Sequence, residues 1–191
     1  MKPPRLKVCG VRDAVFAAAA ASLGADYLGF IFAEESPRRV TPEDAAAVSA
    51  SLGTGVRRVG VFVRETPEEA VEVMRRARLD IVQLHRRASS ADVAALHGAG
   101  YEVWTLAGGA PGDAVLFDSS HGDGETELRR GPWRTVFAGG VSAENIGDVL
   151  ALGPDVVDVS GSLEIEPGRK DVALLEKFID AFRRVCVYDG R

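Results

Sequence analysis

The chain has 191 residues, 46% of them hydrophobic and 27% charged, a composition that excludes a disordered polypeptide and suits one packed domain over 1–191. Its 28 acidic and 23 basic residues give a net charge of -5, which leaves no basic footprint for nucleic acid and no polybasic strip for a membrane surface. Nothing before Leu6 reads as a secretory leader and no apolar run is long enough to span a bilayer, so a cytoplasmic protein is expected.

Short apolar runs suited to strands alternate with longer stretches of helical spacing, which is the pattern of βα units around a parallel sheet. The first run, 6–9, ends at Cys9 and precedes a helix expected over 12–23. A second strand, 27–32, leads through the loop "SPRRV" to a helix over 42–52; a third, 58–63, leads to a helix over 67–77. Thr41 before Pro42 and Thr66 before Pro67 mark both helix starts, each an N-cap with proline in the first turn. The fourth strand, 81–84, precedes a helix over 90–97. Strands five and six, 102–106 and 114–117, are joined by "AGGAPGD", which is too short for a helix. Segment 119–133 is polar and glycine-rich, with no apolar stripe. Strand seven, 135–138, precedes a helix over 143–152 opened by Ser142 and Glu144, and strand eight, 156–159, precedes a last helix over 172–184. The expected fold is α/β, a single (β/α)8 TIM barrel with helices five and six reduced or missing; an open doubly wound sheet is the alternative.

In such a barrel, chemistry collects where the strands end. Cys9 ends strand one, Arg38 lies in the loop after strand two, His85 ends strand four, and Asp118 follows strand six. Gly139 and Gly140 follow strand seven, and Ser160 and Gly161 follow strand eight. Taken singly, a cysteine is more often a packing residue, Asp118 is as well explained as a turn former, and Arg38 and His85 have bland readings too. The glycine pair is less ambiguous. Backbone amides freed by Gly139 and Gly140, joined by Ser160 and Gly161, occupy the place where many barrels hold a phosphate. The two cysteines, Cys9 and Cys186, make neither a disulfide framework nor a metal cluster, so Cys9 is expected to be reduced.

The pieces "KVCG", "SPRRV", "VGVFV", "IVQLH", "LFDSS", "FAGGVSAENI" and "DVSGSLEIEPGRKD" resemble, in order and spacing, the phosphoribosylanthranilate isomerase family of tryptophan biosynthesis. The resemblance implies an Amadori rearrangement of an aminoaldose into an aminoketose, with Cys9 as general base, Asp118 as general acid, and neither metal nor cofactor. Arg38 is the candidate contact for a carboxylate or enolate oxygen, and His85 is a pocket residue without an assigned role. The partner implied is a phosphorylated small molecule, and the protein is expected to be a monomer or homodimer. Three departures stand out: Glu125 replaces the lysine usual in the loop after strand six, "SGS" replaces "SSG", and "HRRAS" follows strand four. The competing readings are the histidine-pathway isomerase, which carries an aspartate where Cys9 stands, and a degenerate phosphate-binding barrel. An unperturbed Cys near 8.5 and Asp near 3.9 are in the wrong protonation states for a base and an acid. Burial is therefore expected to raise the Asp and neighbouring cations to lower the Cys.

Overall fold

The structure, a computed structural model, describes residues 3–120, 128 and 130–188. Eight parallel strands close on themselves in sequence order, with the first also pairing with the last. They are β1 (Arg5–Cys9), β2 (Tyr27–Ile31), β3 (Arg57–Phe62), β4 (Ile81–Leu84), β5 (Glu102–Leu106), β6 (Ala114–Asp118), β7 (Arg134–Ala138) and β8 (Val156–Val159). The helices are α1 (Ala14–Ser22), α2 (Pro42–Ala50), α3 (Pro67–Ala77), α4 (Ser90–Gly98), α5 (Ile146–Ala151) and α6 (Val172–Tyr188). None of them is long and apolar enough to cross a membrane among the described residues.

Alternation along each strand sorts its side chains. One set, including Cys9, Tyr27, Val59, Ile81, Trp104, Leu116 and Val136, forms an apolar cluster of its own. The other set, including Leu6, Val8, Leu28, Phe30 and Val82, packs with helix residues such as Phe16, Met74 and Phe178. The first cluster fills the barrel and the second joins barrel to helices.

A repeated device sets the strand starts. Asp26, Asp80, Asp113 and Asp155 each stand immediately before an even-numbered strand. Each accepts the backbone N–H of Leu6, Arg58, Val103 or Thr135 near the start of the preceding odd-numbered strand, at 2.7–2.8 Å. The backbone N–H of each aspartate donates in return to the carbonyl of the same residue at 2.7–3.0 Å. The barrel is thus locked in pairs of strands at its N-terminal end, and the ends that carry the site are left to the loops.

Thr41 and Thr66 cap α2 and α3 as expected, and Thr66 closes a full capping box with Glu69. Segment 107–113 carries no helix. It lies against the turn before α4, where Ala110 N–H donates to the Ala88 carbonyl at 2.8 Å. Of segment 119–133, residues 121–127 and 129, with Glu125 among them, lie outside the described residues; the described ones are non-helical. Three expectations need correction. Helix α1 starts at Ala14, because Asp13 accepts the Phe16 N–H and stops the helix short of Arg12. The helix after β7 starts at Ile146 rather than 143, because Asn145 Oδ1 takes the Ser142 N–H at 2.8 Å and ties 142–145 into a turn. Helix α6 runs on past 184 and includes Cys186. A short hairpin, β9 (Glu164–Glu166) and β10 (Arg169–Lys170), had no sequence expectation at all.

Candidate active site

One cavity of about 610 Å³ opens at the C-terminal ends of the strands, and Cys9, Arg38, His85, Asp118, Gly139, Gly140, Ser160 and Gly161 all line it. Residues spread over most of the chain therefore meet at one mouth.

Cys9 is the last residue of β1, buried, and paired in register with Gly29 of β2. That glycine is a spatial requirement: a Cβ on it would stand 2.7 Å from Cys9 Sγ. Below Cys9, two residues back along the same face of β1, lies Lys7, fully buried, whose Nζ donates to Asp158 Oδ2 of β8 at 2.6 Å. Burial pushes the Cys9 thiol above its ordinary value, and Lys7 and Lys170 pull against it without prevailing. This corrects the expectation that cations would bring the thiol down: the loss of water at the barrel floor outweighs them.

Across the mouth, Asp118 ends β6. Its Oδ1 accepts from Ser120 Oγ at 2.6 Å and Ser120 N–H at 2.9 Å, and its Oδ2 lies 3.4 Å from His85 Nε2. Gly139, at φ +85°, lets this corner close, since a Cβ there would stand 2.4 Å from Asp118 Oδ1. His85 thus gains a place beside the carboxylate that the sequence had left open. It is fixed there by its backbone N–H, which donates to the Phe62 carbonyl at 2.7 Å.

Arg38 meets a carboxylate of the protein itself. Its Nε and Nη2 donate to Glu164 Oε1 and Oε2 at 2.7 and 2.8 Å, a planar two-bond pairing. Glu164 also accepts from Lys170 Nζ at 2.9 Å. Burial alone would raise its carboxyl, but Arg38 and Lys170 overcome this and hold it below the usual range. Lys170 continues to Ser160, donating to its carbonyl at 3.0 Å and its hydroxyl at 3.2 Å, and Ser160 Oγ donates to the Cys9 carbonyl at 3.0 Å. The hairpin β9–β10 thereby ties the loop after β2 to the end of β1. Lys7, Ser120, Asp158, Glu164 and Lys170 were not singled out in the sequence. Glu164 and Lys170 sit inside "SGSLEIEPGRKD", and Lys7 inside "KVCG", so the signal was the motif and not the residue.

A closed parallel barrel with a thiol, a carboxylate and an imidazole gathered at the C-terminal ends of its strands is a barrel enzyme equipped for proton transfer. Residues 6–181 match the family described as N-(5'phosphoribosyl)anthranilate (PRA) isomerase. A relative from Deinococcus radiodurans named N-(5'-phosphoribosyl)anthranilate isomerase is 35% identical over 94% of this chain and 97% of its own length. The crystal structure of phosphoribosyl anthranilate isomerase from Thermus thermophilus superposes with a TM-score of 0.83 at 34% identity, covering 95% of this chain and 99% of that one. A second structure, an isomerase of the same name in complex with reduced 1-(o-carboxyphenylamino)-1-deoxyribulose 5-phosphate, has a TM-score of 0.81 and 30% identity over 95% of this chain and 99% of its own. The chain belongs to the N-(5'-phosphoribosyl)anthranilate isomerase family.

Proposed function

We propose that the chain converts N-(5'-phosphoribosyl)anthranilate into 1-(2-carboxyphenylamino)-1-deoxyribulose 5-phosphate in the cytoplasm, with Asp118 as general acid and Cys9 as general base. The observation that carries this reading is that Cys9 and Asp118, on β1 and β6, line one cavity in a chain of this family.

Asp118 in its acid form gives a proton to the ring oxygen of the ribose as the C1–O bond breaks. The nitrogen lone pair then forms the C1=N bond of a Schiff base. Cys9 as thiolate removes the C2 proton, the electrons of that C–H bond become the C1=C2 bond, and the nitrogen regains a neutral enolamine form. Tautomerisation moves the enol proton to C1 and leaves the ketone at C2. No electron leaves the substrate, so the reaction needs no redox partner. The amides of Gly139, Gly140 and Gly161, with Ser160, hold the phosphate between the loops after β7 and β8. Arg38, oriented by its pairing with Glu164, is assigned as the contact on the anthranilate side.

The test is the loss of phosphoribosylanthranilate fluorescence on adding the purified chain. Cys9→Ala is expected to lower kcat by at least about 10²-fold with KM little changed, since a group that acts as the proton moves stabilises the transition state and not the bound substrate. Cys9→Ser is expected to be nearly as poor, because a hydroxyl is not ionised at neutral pH. Asp118→Asn, which keeps the shape and removes the acidic proton, is expected to behave like Cys9→Ala. A near-normal kcat in Cys9→Ala would return Cys9 to a packing role.

A further inference from the structure

The floor beneath Cys9 holds one ammonium and two groups able to become anions. Lys7 is 0% exposed, and its Nζ is bonded to Asp158 Oδ2 at 2.6 Å. The other oxygen of that carboxylate, Oδ1, is buried and has no hydrogen-bond partner among the described residues. Lys7 and Cys9 are successive inward residues of β1, and Asp158 is the register partner of Lys7 on β8, so the three share one face at the barrel's centre. Asp158 and Cys9 both line the cavity in which the substrate would sit.

We propose that Lys7 is a positioning residue whose ammonium is shared between Asp158 and Cys9, so that the proton on Asp158 governs how much of Cys9 is thiolate. The inference rests on Cys9 being the base. Two buried anions against one cation are disfavoured where burial strips them of most of their solvation. With Asp158 ionised, the ammonium is engaged by the carboxylate and the thiol keeps its proton. With a proton on Asp158, the ammonium is left to the thiolate. One proton has moved from sulfur to oxygen and the charge of the floor is unchanged. Among the described residues, the other charged groups facing Cys9 are Lys170 from β10 and Arg38 from the loop after β2; Asp118 from β6 faces Asp158. Burial pushes the Asp158 carboxyl up, which brings it toward the range in which it can hold a proton that the thiol gives up.

The experiment uses the full chain on a Cys186→Ser background, so that Cys9 is its one thiol, and follows thiolate absorbance at 240 nm against pH. Asp158→Asn removes the competing anion and keeps the shape, so its titration midpoint is expected about one pH unit or more below the parent. A Lys7→Met, Asp158→Leu double variant, with the floor neutral, is expected to titrate well above Asp158→Asn. A double-mutant cycle supplies the second readout. Cys9→Ala with Asp158→Asn leaves Lys7 without either anion, so the urea midpoint is expected to fall by more than the two single losses combined. An Asp158→Asn midpoint at or above the parent's, an additive cycle, or failure of Asp158→Asn to fold would each overturn the proposal. A chain that shows these shifts but does not consume phosphoribosylanthranilate would remove the catalytic reading and leave this one standing.

Discussion

At the scale of single residues, the site depends on side chains that are absent as much as on those present. Cys9 Sγ occupies the space a Cβ at Gly29 would need, 2.7 Å away. Gly29 does not have a positive φ, so alanine there is free of φ strain and acts by pushing on Cys9, against Sγ at 2.7 Å first and against Cα and Cβ at 3.2 and 3.3 Å. Overpacking of this kind costs about 1–3 kcal/mol, and a displacement of about 1 Å at a reacting group can cost about 10²-fold in rate. Gly29→Ala is therefore expected to lower kcat about 10²-fold, while the affinity for inorganic phosphate, proposed to bind at the loops after β7 and β8, changes little. Steady-state kinetics and a phosphate titration check this, and an unaltered kcat would show that the thiol's position is not critical. None of this was legible in the sequence. Gly29 sits in an apolar run where it reads as a plain strand residue, and only the register places it against Cys9.

Among the elements, the strand pattern and most helix starts follow from local chemistry, so they could be read directly. The strands lie within a residue or two of the apolar runs, and Thr41 and Thr66 cap where a threonine before proline should. What was missed is non-local. The hairpin β9–β10 is held by Glu164, which bonds both its neighbour Lys170 and Arg38 from the distant loop after β2, and it has no apolar alternation to announce it. The four aspartates before the even strands were legible in principle, as "GAD", "RLD", "PGD" and "GPD", but they make sense only once strands are paired. Asp26→Ala leaves the N–H of buried Leu6 unpaired and is expected to cost about 1–3 kcal/mol, with Asp26→Asn recovering most of it. Urea midpoints at neutral pH measure this; equal stability of all three chains would refute it. Asp113 adds a pH dependence. Burial would raise its carboxyl, but the Val103 N–H and His97 outweigh this and hold it below the usual range. Its contribution is therefore complete above the unfolded aspartate value of about 3.9 and lost as pH falls through the lower folded value, and Asp113→Asn is expected to flatten that part of the stability curve.

Across the whole molecule, the barrel keeps two different charge systems at its two ends. The mouth holds the thiol and the carboxylate. The opposite end holds Glu102, which accepts from Trp104 Nε1 at 2.6 Å and Arg57 at 2.5 Å and is also bonded to Arg134. Arg134 and Arg5 both donate to the Tyr27 hydroxyl, at 3.2 and 2.8 Å, and lie over the Trp104 and Tyr27 rings. The outline of the mouth could be foreseen because a barrel sends every strand end to one face; the opposite end could not, because Arg5, Arg57, Glu102 and Arg134 read as ordinary charges at strand starts. If the two ends are as separate as the geometry makes them, stability and turnover should respond to different substitutions. Glu102→Gln takes away the one carboxylate on which Arg57 and Arg134 converge. Because Glu102 is 19% exposed, solvent screens part of the loss, and the expected cost is about 2–3 kcal/mol rather than the full penalty of a buried pair. Its kcat/KM at a temperature where it remains folded is expected to match the parent, whereas Cys9→Ala is expected to keep the parent's unfolding free energy within about 1–2 kcal/mol and lose turnover. Unfolding curves and kinetics on the two variants decide it. A Glu102→Gln chain that is fully folded yet slow would mean that the charges at the opposite end reach the chemistry through the barrel's core, and the separation of the two ends would have to be given up.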